Sequence, residues 1–137
     1  MMRRLAVAAA VLALTAGIGS VAWAAWSASP SGQAEAVALT MPAGGTPRAV
    51  DSGSSVQLAW PASTFASGAS VEGYLVTRYD TATQTPHTPG AGCSGTVTTT
   101  SCTETSVPSG SWTYTVTPVQ GGWHGAESPH SPTVVVP

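Results

Sequence analysis

From Pro47 onward, short runs of alternating apolar and polar residues are separated by clusters of Gly, Ser and Pro. In Ser55–Trp60 the period of two puts Val56, Leu58 and Trp60 on one face, with smaller or polar residues on the other, and Pro61 ends the run. Val71–Tyr79 is the longest such run; Tyr74 and Val76 are expected inward, with Leu75 partly covered on the opposite face. Gly95–Val107 is threonine-rich and predicts a strand or hairpin. In Trp112–Thr117 large apolar residues alternate with Thr, so Trp112, Tyr114 and Val116 should face a core and the threonines solvent. Thr133–Val136 makes the last strand. No window keeps a helical period, and 11 prolines spread along the chain oppose long helices. Short strands at regular spacing predict an all-β sandwich.

The start of the chain has a different pattern. Arg3 and Arg4 precede an uncharged run from Leu5 to Trp26, and Ala22-Trp23-Ala24 is a small-x-small ending. These are the three parts of an export signal. Residues 1–24 are therefore expected to be a signal peptide, cleaved after Ala24 or one residue later. The alternative is an uncleaved anchor reaching to about Trp26, since the run is long enough to span a bilayer. Residues 25–46 are mostly Ser, Ala, Gly, Pro and Thr and predict a flexible linker, with a short strand at Ala36–Met41 as its one candidate element. The folded domain is expected over 47–137.

Export changes how the cysteines are understood. In an oxidising compartment the two of them, Cys93 and Cys102, predict a disulfide. A zinc site would need further ligands at close spacing, and none stand nearby. Closing so short a loop should contribute roughly 2.5–3 kcal/mol, less any strain.

The strand residues resemble a known family. Val56-x-Leu58-x-Trp60, Gly73-Tyr74-x-Val76, Gly110-x-Trp112-x-Tyr114-x-Val116 and Trp123-x-Gly125-x-Glu127-Ser128 with a closing valine strand look like a fibronectin type III domain of a bacterial secreted type. The resemblance covers all of the expected domain. It implies an immunoglobulin-like β-sandwich with Trp60 and Tyr74 in the core. Two departures stand out: the family's corner tyrosine position falls on Trp112, and the Cys93–Cys102 pair is additional to most members.

Charge narrows the function classes. All four basic residues are arginines (Arg3, Arg4, Arg48 and Arg78) and the net charge is −2, so no basic stripe exists for nucleic acid. The acidic residues Glu35, Asp51, Glu72, Asp80, Glu104 and Glu127 stand singly at expected strand ends and loops, without the close pair a glycosidase uses. His87, His124 and His130 fall at expected loop positions and are expected to be solvated; a metal site of His124, Glu127 and His130 is the sharper alternative. No Gly-x-Ser-x-Gly elbow marks a nucleophile. No catalytic residue, metal or cofactor is expected. Trp123, in Gly121-Gly122-Trp123-His124-Gly125, is the candidate binding residue together with His124. An exposed Trp would stack on a sugar or anchor a protein. The resemblance implies instead that it folds back to cap the core.

The expected function is an exported, non-catalytic module for cell-surface or extracellular interaction, display or spacing. Its partner would be an extracellular protein or a cell-wall glycan, with the membrane involved only if the N-terminal segment is retained. One alternative is a carbohydrate-binding accessory module of polysaccharide-degrading systems. Another is a small secreted metal-binding protein or enzyme using His124 and His130.

Overall fold

A computed structural model describes residues 39–137. The export signal, its anchor alternative and most of the expected linker lie outside the described residues. Among the described residues nine strands follow in order: β1 Arg48–Ser52, β2 Ser55–Ala59, β3 Gly73–Asp80, β4 Pro86–His87, β5 Thr96–Val97, β6 Ser101–Glu104, β7 Gly110–Gln120, β8 Trp123–His124 and β9 Val134–Val136. They form two antiparallel sheets. One has the order β1-β2-β6; in the other, β4-β3-β7-β8 is joined by β5 on β3 and β9 on β7. Leu39–Met41 carries no strand.

The alternation in the sequence sets both inner faces. Val56, Leu58 and Trp60 are buried from one sheet, and Tyr74, Val76, Trp112, Tyr114 and Val116 from the other. Register aligns Val76 with Val116 and Tyr74 with Pro118, so the inner faces of β3 and β7 coincide. Trp60 meets Tyr74 edge-on, with ring centroids 5.5 Å apart, a favoured geometry for aromatic pairs. The Tyr74 hydroxyl accepts the Ser63 N–H at 2.7 Å. Leu75 is partly covered, as its place on the outer face predicts.

Gly95–Val107 is not a hairpin. β5 pairs with β3 in one sheet and β6 with β2 in the other, so the chain changes sheets between Val97 and Ser101. The disulfide Cys93–Cys102, with Cα atoms 5.4 Å apart, ties the approach to this crossover to β6.

The expected solvated face of β7 is also corrected. Thr113 and Thr115 are buried along with their apolar neighbours. After β8 the chain runs back along β7, but Pro129 and Pro132 deny it two N–H donors. Serine hydroxyls complete the ladder. Ser128 N–H donates to Val116 O and Ser128 Oγ accepts from Val116 N–H. Ser131 repeats both bonds with Tyr114. The spacing of three between these serines matches an extended proline-type backbone, whereas a strand would place alternate residues on β7. Glu127 and His130 of this segment lie over the threonines: Thr115 Oγ1 donates to Glu127, and His130 Nδ1 is 2.9 Å from Thr113 Oγ1.

Packing begins ahead of the expected Pro47 boundary. Gly44 N–H donates to Ala126 O, and Ser63 Oγ donates to Ala43 O. At Gly44 a Cβ would stand 2.1 Å from Val116 O, so only glycine allows this segment to lie against β7. The glycines that suggested a linker instead permit a close backbone approach.

Two charged residues join the core. Arg78 follows Tyr74 and Val76 on the inner face of β3 and is only 7% exposed, while Glu104 of β6 is fully buried. They form an ion pair across the sandwich. Glu104 also accepts the Tyr114 hydroxyl at 2.8 Å and the Gly90 N–H at 2.7 Å, and Arg78 lies 4.5 Å above the Trp112 ring. Glu104 thus stands at a strand end, as expected, but is buried there. At the corner position, Trp112 Nε1–H donates to Pro108 O at 2.9 Å, so an indole makes a bond back to the backbone four residues upstream.

Candidate functional site

The hairpin between β7 and β8 turns on Gly121 and Gly122, with Gln120 paired to Trp123 across it. Gly121 has φ +57°, a conformation glycine adopts freely. A Cβ at either glycine would meet nothing within 4 Å, so the turn stands clear of the sandwich. The indole of Trp123 does not fold back over the core as the resemblance implied. It is 75% exposed, whereas Trp60 and Trp112 are 5% and 7% exposed. Val71 belongs to the core cluster and Phe65 packs against it, whereas the Trp123 indole does not join it.

Trp123 forms one wall of a groove of about 520 Å³ completed by Leu39, Met41, Phe65 and Gln120. Leu39 is itself 66% exposed. Among the described residues the lining side chains are apolar except for the Gln120 carboxamide and the Trp123 indole N–H, and none is charged. This combination of size, apolar walls and few polar groups is typical of ligand pockets. His124 is exposed on β8 beside Trp123 but does not line the groove. Residues before Pro47, expected as linker, supply two of the walls. A smaller depression of about 290 Å³ lies along β1, β2 and β6.

The histidines are dispersed. His87 meets the Trp112 ring edge-on at 5.6 Å, and His130 packs on the Tyr79 ring at 4.6 Å. Glu127 accepts the Tyr79 hydroxyl at 2.7 Å. Among the described residues no three His, Cys, Asp or Glu side chains are grouped to hold a metal ion. The proposed His124–Glu127–His130 site is therefore not assembled. The hydrogen bond to Glu127, and then the partial burial of Tyr79 itself, raise the Tyr79 hydroxyl above its ordinary pKa. Asp80 is held below the usual carboxylate range by the N–H groups of Thr83 and Ala82, a turn function. Thr113 and His130 resemble part of a nucleophile–base pair, but Thr113 is buried, and Glu127 is bonded to Tyr79 and Thr115. Sequence reasoning missed this surface cluster, because only strand register brings Tyr79 beside Thr113.

With the sandwich and groove defined, comparison with known proteins supplies the class. The described part has a fibronectin type III-like, immunoglobulin-like fold. An Fn3-like protein from Clostridium thermocellum is 25% identical, with a TM-score of 0.54 over 72% of this chain and 96% of that one. A run of domains from titin is 17% identical with a TM-score of 0.60, covering 72% of this chain and 33% of that one. The structure of titin kinase and its flanking domains is 17% identical with a TM-score of 0.59, covering 71% of this chain and 17% of that one. This chain thus spans a third or less of the titin structures it resembles. No family model matches the sequence. No curated protein matches it either.

Proposed function

We propose that this is an exported, non-catalytic binding module that presents the Trp123 groove to an extracellular protein or cell-wall glycan. The observation that carries this reading is the exposure of Trp123 beside the groove while the other described tryptophans are in the core. An aromatic side chain left in water costs stability that burial would have supplied, and ligand stacking offers a use for it. The disulfide and the export-type N-terminus both suit an oxidising, extracytoplasmic location.

Within this reading the groove favours the carbohydrate-binding form. A flat indole face beside an uncharged amide suits a neutral sugar ring better than an ionic partner. The test is sedimentation binding of the full chain to cell-wall glycan and to extracellular protein fractions, each beside Trp123→Ala. The reading expects saturable binding that the substitution weakens at least about fivefold, on the order of 1 kcal/mol for an aromatic anchor. Equal binding by both proteins would contradict it.

A further inference from the structure

Glu72 lies just before β3, far in sequence from the groove, yet it clasps the turn that carries Trp123. Its N–H donates to Gln120 Oε1 at 2.9 Å. Its carboxylate Oε2 accepts the Gly121 N–H at 2.8 Å. The two bonds close a ring between residue 72 and the end of β7, at a two-glycine turn whose glycine side faces nothing else.

Two consequences follow for the groove. A Gly-Gly hairpin on a two-residue strand has little to restrain it, so this clasp holds the turn and with it the indole. The second consequence concerns the amide. A glutamine can ordinarily present either its oxygen or its NH₂ to a ligand. Here the oxygen is committed to Glu72 N–H, and Nε2 makes no bond among the described residues. Among the described lining side chains, the Gln120 amide is thereby a donor, as the Trp123 indole N–H is.

We infer that Glu72 is the positioning residue of the Trp123 groove, fixing the turn and setting Gln120 as a hydrogen-bond donor to an uncharged ligand with an acceptor oxygen beside an apolar face. This rests on the reading of the groove as a binding site. A neutral N-acetylated sugar has the required chemistry, since its ring face can stack on the indole and its amide oxygen can accept from Nε2.

The experiment compares wild-type full chain with Glu72→Ala and Glu72→Gln. The first readout is the backbone ¹⁵N order parameter of Gly121, whose N–H the Glu72 carboxylate holds. In wild type it should be near that of rigid structure, about 0.85; in Glu72→Ala it should fall below about 0.6. Glu72→Gln should restore it, because the new amide oxygen can accept the Gly121 N–H while the backbone bond to Gln120 persists. The second readout is titration with an N-acetylglucosamine tetramer. Glu72→Ala should lose at least about fivefold in affinity and Glu72→Gln should stay near wild type. An unchanged order parameter in Glu72→Ala, or its loss in both variants, would overturn the role of Glu72. Absence of sugar binding by wild type would overturn the ligand class, and the order parameters would still decide the positioning role.

Discussion

Arg78 stands two residues beyond Val76, so the alternation that buries Tyr74 and Val76 also turns Arg78 inward. The pattern was legible, but the general rule that charges stay outside opposes it, and the rule yields only because Glu104 waits on the facing sheet. That partner comes from β6, and no local signal joins the two. Removing Glu104 leaves Arg78 and the Tyr114 hydroxyl buried without it. Glu104→Ala should therefore cost about 3–5 kcal/mol in denaturant unfolding, the range for breaking a buried pair. A cost under about 1 kcal/mol would mean that water replaces the carboxylate. Tyr114 adds a pH dependence. Burial, then its bond to Glu104, pushes its hydroxyl well above the ordinary 10.0. The unfolded chain therefore loses this proton first, and stability should be full below about pH 10 and decline above it. Tyr114→Phe should flatten that decline. Tyr79, raised by its bond to Glu127, would leave a weaker remainder.

Among the elements, the segment after β8 separates what periodicity reveals from what it conceals. Strands β2, β3 and β7 fall where the period of two places them. The serine–proline ladder has a period of three and no apolar signal, so it looked like a loop. Its cost of removal should be measurable. Ser128→Ala or Ser131→Ala leaves the buried N–H of Val116 or Tyr114 without an acceptor, at about 1–3 kcal/mol each. Equal midpoints in both variants and wild type would show that the hydroxyls are dispensable. The contacts of His130 with Thr113 and of His87 with Trp112 also alter an expectation from sequence: His124 should be silent to alanine substitution, but His130→Ala and His87→Ala should each cost a few tenths of a kcal/mol or more. The disulfide belongs to this scale as well. It secures the crossover between sheets, and alkylation of denatured, unreduced protein should find no free thiol. Labelling at both Cys93 and Cys102 would remove that support.

Across the whole molecule, the tryptophans divide between stability and surface. Trp60 is packed edge-on against Tyr74, so Trp60→Ala should cost about 3–5 kcal/mol, close to the whole stability of a small domain. Sequence spacing located that residue because a buried strand repeats a simple pattern. Trp123 defeated the same reasoning, since whether a loop aromatic caps a core or leaves it depends on which other residues fill that end. Here Val71 and Phe65 pack into the core and the Trp123 indole does not join them. The groove was hidden for a further reason: Leu39 and Met41 come from residues whose small, polar neighbours looked like linker.

Function and stability should therefore separate at Trp123. The direct measurement is the pair of denaturant unfolding and glycan-binding isotherms for Trp123→Ala against wild type. The structure predicts unfolding free energies within about 0.5 kcal/mol of each other, as for an exposed side chain, with binding weakened at least about fivefold. A loss of several kcal/mol in stability with unchanged binding would contradict it, returning Trp123 to the core and leaving the groove without a function.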